Sequence, residues 1–301
     1  ARGNGGWKGR HVVSYLDRLA VIHDWDPSAY RPFLLDGQRV GRVRDETARL
    51  LAPFTEVFTV TDSALYLAPP LAEADVDTRS AAVHRVLADL AEQGTVRRLR
   101  GETYGVAESW HAPDRLRLDR GAVPVLGTRS YGVHLNGYVP GTDGAVQGIW
   151  IGTRSPDKRV APGKLDHLVA GGVSHGYGIQ ATLIKEAAEE ADIPEDLARR
   201  ARPVGALSYV CEIEAGLRDD VLFIYDLALP ESFVPRNTDG ELTGFALWSL
   251  DDAMARVRDS DDFKFNVAPV MIDFFLRHGC LAPDTEPRYP EIAAGLHGAV
   301  A

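Results

Sequence analysis

The stretch from Gly171 to Ile193, GGVSHGYGIQATLIKEAAEEADI, constrains this chain more than any other part of its sequence. Four of its first eight residues are glycines, and a helical pattern follows at once. Apolar residues recur there at helical spacing, which places them on one side of a helix. They are Ile179, Leu183, Ile184, Ala187, Ala188 and Ala191. The stretch therefore predicts a glycine loop that runs into an amphipathic helix.

Three carboxylates lie on another side of the same helix. Glu186, Glu189 and Glu190 stand at i, i+3 and i+4, so they share an arc of about 100°. Like charges at this spacing repel by ~0.2–0.5 kcal/mol per pair, and a bound cation would relieve the repulsion. Hard oxygen ligands without a local His or Cys cluster favour Mg²⁺ or Mn²⁺. A solvated acidic face is the alternative interpretation.

The loop and helix together resemble the Nudix box. That motif runs Gly, five residues, Glu, seven residues, Arg-Glu, an apolar residue, any residue, Glu-Glu, any residue, Gly, apolar. The positions of this chain that match it are Gly171, Glu186, Ala187, Glu189, Glu190 and Ile193. Three positions depart from it: Tyr177 replaces the first glutamate, Lys185 the arginine, and Asp192 the closing glycine. Lys185 lacks the planar fork of arginine, and Asp192 tolerates left-handed backbone less readily than glycine.

The resemblance extends beyond the box, over roughly residues 10–285. The runs GVHLNGYV, PGKLDHLVAGGV, DVLFIYDLALPESFVPRNTDGEL and FKFNVAPVMIDFFLRHG are similar to a Nudix subgroup. That subgroup occurs in plant plastids and is fused to thiamine pyrophosphokinase in some fungi. The resemblance implies an α+β fold, a Nudix α/β/α sandwich. It also implies Mg-dependent cleavage of a diphosphate linkage, in thiamine diphosphate or its oxidised relatives, to give the monophosphate.

The box residues are the first candidates for chemistry. We expect Glu189 and Glu190 to bind the metal directly, with Glu186 as a third ligand or as the group that orients water. The resemblance adds the carbonyl of Ala170 to the metal shell. A general base contributes typically ~10²–10⁴-fold to the rate. The sequence offers three candidates for the general base and does not rank them: Glu186, Glu189 and Glu241.

Substrate-binding candidates lie on strands that lead to the box. Positive side chains there are expected to neutralise phosphate, with surface charges as the alternative; they are Lys164, Arg129 and Arg154. His134 and Asn136 share one face of a strand by period-two spacing, so both are expected to line the pocket. A purely structural histidine is the alternative. The basic run Arg97, Arg98 and Arg100 can reach a phosphate, although a solvated charge run is favoured.

Length and composition bound the remaining expectations. A chain of 301 residues suggests about two domains. We predict a mixed α/β domain of unknown role over residues 1–120, a Nudix domain over 121–285, and a loose tail over 286–301. The net charge of −10 argues against nonspecific nucleic-acid binding, and no run of 18 apolar residues offers a membrane span. The expected partner is a small-molecule diphosphate; a homodimer is left open.

The two cysteines bear on the cellular location of the protein and on one alternative function. Cys211 and Cys280 lie in separate segments, which favours free thiols and a cytoplasmic location. Isopentenyl-diphosphate isomerases share the Nudix fold and use a cysteine and a glutamate, so Cys211 keeps that reaction open. A noncatalytic ligand-binding or regulatory module is the other alternative, motivated by Tyr177, Lys185 and Asp192.

Overall fold

The N-terminal part of the chain folds around a small sheet of its own. The structure, a computed structural model, describes residues 14–297. Its first elements are α1 (Tyr15–Val21), β1 (Tyr30–Leu35), β2 (Gln38–Arg44), α2 (Asp45–Leu51), β3 (Phe58–Val60), β4 (Leu65–Leu67), α3 (Pro69–Ala72), α4 (Val76–Glu92), β5 (Thr103–Val106), β6 (Leu116–Asp119) and α5 (Val123–Leu126). Strands β1 to β4 form a sheet of order β2-β1-β4-β3, and β5 pairs with β6 as a separate ribbon.

The sequence FLLDGQRVGRV, residues 33–43, predicts a hairpin around Asp36-Gly37, and β1 and β2 form it. Leu35 pairs with Gln38, which leaves Asp36 and Gly37 as a two-residue turn. Their φ angles are +50° and +76°, the left-handed values that a tight hairpin turn needs. Asp36 meets this need because its short polar side chain tolerates positive φ better than most residues do.

A larger mixed sheet carries the box. Its elements are β7 (Arg129–Pro140), β8 (Val146–Arg154), β9 (Leu165–Asp166), β10 (Val169–Gly172), α6 (Ile179–Ala191), α7 (Glu195–Ala198), β11 (Arg202–Ile213), β12 (Gly216–Ala228), β13 (Leu242–Trp248), α8 (Leu250–Asp259), α9 (Val267–Arg277) and α10 (Tyr289–Leu296). The order is β11-β12-β7-β8-β13, while β10 joins β7 and β9 joins β8. Strands β12 and β7 run parallel, and the other pairs are antiparallel.

Helices cover both faces of this sheet. Val133 and Leu135 of β7 share a buried cluster with Leu183 and Ala187 of α6. On the opposite face, Tyr138 of the same strand packs against the cluster that contains α8, α9 and α10. Successive strand residues point to opposite faces, so a single strand serves both layers. The α+β fold class with its α/β/α arrangement is confirmed.

The two ends of the described chain meet on the second face. Leu19 of α1 and Leu296 of α10 lie in the same buried cluster as α9. Helix α1, which falls within the predicted N-terminal domain, therefore packs with the C-terminal helices. The boundary at residue 120 stays a prediction.

The predicted loose tail over residues 286–301 needs correction. Residues 289–296 form α10, and its Ile292 is buried with 1% exposure. Burial of apolar side chains orders this stretch despite its prolines. The Gly-rich and basic composition of residues 1–10 predicts a frayed terminus, and these residues, like 298–301, lie outside the described part. Within that part, no helix is both long and apolar enough to cross a membrane.

Candidate active site

The box forms the loop and helix that the sequence predicts. Helix α6 begins after Gly178 and ends at Ala191. Asp192 follows with φ of +53°, so it takes the left-handed conformation usual for a glycine at the end of a helix. Its carboxylate accepts a hydrogen bond of 3.0 Å from Nε of Arg236. This departure from the motif is therefore accommodated in the fold.

The three predicted metal glutamates differ in their surroundings. Glu190 is 6% exposed, and its Oε2 accepts a hydrogen bond of 2.8 Å from the N–H of Ala170. The amide of Ala170 thus contacts Glu190, and the predicted place of the Ala170 carbonyl in the metal shell stays a prediction. The Glu186 side chain is 18% exposed and that of Glu189 is 49% exposed. The rotation of about 100° per residue turns Glu189 away from the sheet.

Lys185 occupies the outer side of the helix between two of these glutamates. Its Nζ lies 3.1 Å from Oε1 of Glu186 and 2.7 Å from Oε2 of Glu189. The hydrogen bonds to Glu189 and Glu186 outweigh burial and raise the pKa of Lys185. Tyr177, at the place of the first box glutamate, is 50% exposed. The lysine thus neutralises part of the acidic face from outside.

A loop after β12 covers the C-terminal end of the helix. Asn237 Nδ2 donates to the carbonyl of Glu190 at 3.3 Å, and Thr238 Oγ1 donates to the carbonyl of Glu189 at 2.7 Å. These donors satisfy two of the last carbonyls of the helix, which have no partner within it. Asn237 Oδ1 also accepts the N–H of Gly240 at 2.7 Å. The loop is thereby fixed to the box.

This loop brings two further carboxylates to Glu190. Ligand oxygens of Glu190, Asp239 and Glu241 lie within 4.8 Å of one another. Opposite oxygens around a Mg²⁺ or Ca²⁺ ion are about 4–5 Å apart, so this set fits a hard divalent cation. The sequence singled out Glu190 and Glu241 but missed Asp239. The available signal was the Asp-Gly turn in NTDGEL, with two acidic residues spaced by two.

The electrostatics of the cluster favour a bound cation. Burial raises the pKa of Glu190 well above its usual range. The hydrogen bond from the Ala170 N–H lowers this pKa, whereas the negative charges of Asp166, Glu186 and Glu241 raise it. Burial also raises the pKa of Glu186. Desolvated carboxylates that repel one another resist ionisation, and a metal ion reverses that tendency.

The predicted phosphate neutralisers have other partners. Lys164 pairs with Asp261 at 3.3 Å, and Arg129 pairs with Asp219 at 2.8 Å. Arg154 is buried and pairs with Asp166 at 2.5 Å; its guanidinium also donates to the carbonyls of residues 160 and 161. The ion pairs of these three cations are with carboxylates outside the cluster, although Arg154 pairs across the strands with Leu242, the neighbour of Glu241. Lys158 forms an ion pair with Glu241 itself.

His134 and Asn136 lie on the sheet face opposite α6. Both are buried, and Asn136 Nδ2 donates to Asp226 at 3.0 Å. The His134 ring meets that of His167 edge-on, with 4.9 Å between centroids. Burial and the neighbouring His167 hold the pKa of His134 well below its usual value, so the ring is neutral at pH 7. His134 Nδ1 and Asn136 Oδ1 have no hydrogen-bond partner among the residues the structure describes.

Cys211 lies in the core rather than at the carboxylates. It is 3% exposed within the cluster that includes α9, and burial raises the pKa of its thiol to about 12. A proton held this firmly is unsuited to the transfer step of an isomerase.

Comparisons with known proteins place the chain in a family. Residues 12–130 match a family model described as a domain of unknown function (DUF4743). Nudix hydrolase 20, chloroplastic, of Arabidopsis thaliana is 39% identical over 84% of this chain and 69% of its own length. Nudix hydrolase 24, chloroplastic, of the same plant is 38% identical over 87% of this chain and 71% of its own. Because both names carry a chloroplast location, the prediction of a cytoplasmic location is corrected.

A solved structure with similarity to this chain is the Nudix domain of Shewanella oneidensis NrtR in complex with ADP ribose. It is 12% identical, has a TM-score of 0.39, and covers 50% of this chain and 88% of that one. The Arabidopsis matches, at 38–39% identity over most of this chain, decide the assignment. They confirm the predicted enzyme class, a pyrophosphohydrolase, and Nudix hydrolases generally use a divalent metal. The chain belongs to the Nudix hydrolase family.

Proposed function

We propose that this enzyme binds Mg²⁺ or Mn²⁺ through Glu190, Asp239 and Glu241 and cleaves the diphosphate linkage of a small molecule. The observation that carries the proposal is the convergence of these three carboxylates within 4.8 Å at the end of the box helix. Glu186 stands one turn earlier on the same helix. The metal, when bound, polarises phosphoryl oxygens and neutralises charge on the departing phosphate.

Glu186 is the general base in this proposal. Its side chain is mostly buried, and burial raises its pKa toward the working pH, as proton abstraction from water requires. Lys185 limits the shift, because its ammonium group contacts Glu186 Oε1 at 3.1 Å. Glu189, also a candidate for this role, points outward and pairs with the same lysine. Glu241 belongs to the metal cluster instead.

We propose thiamine diphosphate or an oxidised relative as the substrate, with the monophosphate as product. Support comes from the resemblance of this chain to the plant plastid subgroup, and likeness to the part fused to fungal thiamine pyrophosphokinase stays a prediction. Two observations favour the second candidate, a noncatalytic binding module. Lys185 already pairs with two box glutamates, and Tyr177 leaves the loop without its usual carboxylate.

The test is hydrolysis of a substrate panel by the wild type and by Glu190→Gln, with Mg²⁺ or with EDTA. The panel contains thiamine diphosphate, oxothiamine diphosphate, ADP-ribose, NADH, CoA and isopentenyl diphosphate. We expect Mg-dependent release of a monophosphate product that Glu190→Gln lowers by about 10³-fold, a typical loss for one essential group. Glu195→Gln is the control, because the Glu195 side chain on α7 is 62% exposed and pairs with Arg199.

Three results would replace the proposal. Hydrolysis that persists in Glu190→Gln would reject the assigned metal site. Tight binding of a diphosphate with no product would support the noncatalytic module. Isomerisation of isopentenyl diphosphate without phosphate release would support the alternative that the protein is an isomerase.

A further inference from the structure

The loop between β8 and β9, residues 155–164, contacts the carboxylate cluster through Glu241. The N–H of Ser155 donates to the carbonyl of Glu241 at 2.9 Å. Nζ of Lys158 forms an ion pair with Oε2 of Glu241. Both the backbone and the side chain of Glu241 are thus in contact with this loop. The loop therefore places an ammonium group beside one of the three proposed metal ligands.

The position of Lys158 is supported by the backbone of its own loop. Its N–H donates to the carbonyl of Ser155 at 3.1 Å, which closes a turn. Farther along the loop, Nε of Arg154 donates to the carbonyls of Val160 and Ala161 at 3.2 Å and 3.1 Å. Arg154 is itself buried. A buried guanidinium that binds two loop carbonyls keeps the loop, and with it the lysine, close to the cluster.

Glu241 is also held from the side of the cluster. Its N–H donates to Oδ1 of Asp239 at 2.8 Å, and the same oxygen accepts from Nδ2 of Asn237. The backbones that carry Lys158 and Glu241 are therefore fixed relative to each other. Their side chains are 26% and 43% exposed, respectively, so solvent reaches the ion pair. Solvated ion pairs are weak, and this one can separate without disturbing the fold.

Lys158 and a divalent ion compete for the carboxylate of Glu241. A lysine ammonium has three N–H donors and no lone pair, so it is not a metal ligand. Because the ammonium contacts one of the three clustered carboxylates, a cation bound among them is close to it, and the two positive charges repel. The flexible stem of lysine lets the ammonium turn to another acceptor while its backbone stays in place.

We propose that Lys158 changes its partner when the metal binds, leaving Glu241 to contact a non-bridging oxygen of the substrate diphosphate. A diphosphate supplies that acceptor because its oxygens are held at the same cluster, within reach of a loop that is fixed to Glu241. Lys158 is then a substrate-binding residue for the reaction, and its ion pair with Glu241 belongs to the metal-free state. The assignment rests on the proposed function, because it names a substrate contact at that same site.

The first test measures Mn²⁺ binding to the full chain without substrate, by isothermal titration calorimetry. We expect Lys158→Met to bind Mn²⁺ about 5-fold more tightly than the wild type, because a competing positive charge is removed. Arg159→Met is the matched control, since Arg159 is the exposed neighbour in the same loop. It removes an equal charge, and we expect Mn²⁺ affinity within about 2-fold of the wild type because solvent and salt screen an exposed charge.

The second test adds methylenediphosphonate, a diphosphate analogue whose P–C–P bridge resists hydrolysis, at saturating Mg²⁺. We expect Lys158→Met to bind this analogue about 10-fold more weakly, as the loss of one charge-assisted contact predicts. Lys158→Arg keeps the charge and retains part of the affinity, and Arg159→Met binds the analogue like the wild type. Tighter binding of the metal together with weaker binding of the diphosphate distinguishes this role from a purely structural one, which would shift both affinities in the same direction or neither.

The variants separate this inference from the proposed function. Neither titration needs turnover, so both decide the role of Lys158 even where no substrate of the panel is hydrolysed. If Lys158→Met lacks either of the two changes, or if Arg159→Met shows the same changes, the partner exchange is overturned while the metal site stands. A Glu190→Gln variant that binds Mn²⁺ like the wild type rejects the proposed metal site, and the partner exchange is rejected with it.

Discussion

Gly171 is the residue whose replacement tests the catalytic geometry most directly. No side chain fits at this position, because a Cβ atom would stand 2.2 Å from Cγ and 2.4 Å from Cδ of Glu186. Contacts below about 3 Å force one partner to move, and here the partner is the candidate base. Position 178 differs, because a Cβ atom there meets nothing within 4 Å and the φ angle is −85°.

We therefore expect Gly171→Ala to lower kcat by about 10- to 100-fold through displacement of Glu186, since misplacement of about 1 Å costs ~10²-fold. Gly178→Ala is the matched control and keeps activity, with a loss of stability below about 1 kcal/mol because position 178 is the N-cap of α6. Steady-state kinetics with Mg²⁺ and thermal unfolding of both variants check this expectation. Equal kcat values for the two variants would show that Glu186 does not need its present position.

The loop after β12 completes the candidate metal site by bringing two carboxylates to helix α6. Helix α6 supplies Glu190, but Asp239 and Glu241 reach it only because Asn237 and Thr238 bind the last carbonyls of the helix. Asn237 also donates to Asp239 Oδ1 at 2.7 Å and so orients one of the ligands. The loop is a positioning element for the metal cluster.

Asn237→Ala is expected to remove this support. Loss of its hydrogen bonds should reduce the free energy of unfolding by about 1–2 kcal/mol and weaken Mn²⁺ binding about 10-fold. The control is Asp143→Ala, which removes a comparable side-chain contact to the N–H of Ala145 in the turn between β7 and β8. Mn²⁺ titration and urea unfolding measure both quantities. An Asn237→Ala variant that binds Mn²⁺ with wild-type affinity would show that Asp239 and Glu241 do not depend on Asn237 for their positions.

The local elements could be predicted from the sequence because their determinants are local. The turn at Asp36 and Gly37 and the carboxylate-bearing helix α6 follow from turn chemistry and apolar spacing within a few residues. Asp239 could not be ranked in this way. Its role depends on a contact between residues 190 and 239, which no short-range pattern encodes.

The same limit applies to charged residues. Arg154 was expected to meet substrate phosphate, but it is buried against Asp166. A charge takes its partner from tertiary structure, so its sequence neighbours do not reveal whether it is structural or functional.

Asp166 links elements from distant parts of the chain into one buried network. Its carboxylate pairs with Arg154 of β8 at 2.5 Å and lies 3.8 Å from Nζ of Lys264, just before α9. Burial alone would raise its pKa, but Lys264 and Arg154 outweigh burial and lower it from 3.8 to about 2. The ionised form is therefore favoured in the folded chain over the unfolded chain.

The sign of the pH dependence follows from this lowered pKa. Stabilisation by Asp166 is present above the unfolded pKa of 3.8 and is lost as pH falls toward the folded value of about 2. The difference corresponds to about 2 kcal/mol. Asp166→Asn would leave Arg154 and Lys264 buried without their common carboxylate, so we expect it to lower the free energy of unfolding at neutral pH by about 3–5 kcal/mol.

Urea unfolding of the wild type and Asp166→Asn from about pH 7 to about pH 3 tests this expectation. The gap between the two curves should be constant near neutral pH and narrow below about pH 4, because the wild type alone loses the Asp166 contribution there. Asp77→Asn serves as control: its side chain is 83% exposed in an ion pair with Arg117, so its curve should stay within about 0.5 kcal/mol of the wild type. If the difference in free energy of unfolding does not narrow in acid, the ion pairs of Asp166 are not the source of its stabilising effect. Packing around residue 166 would then be what joins the sheet to α9.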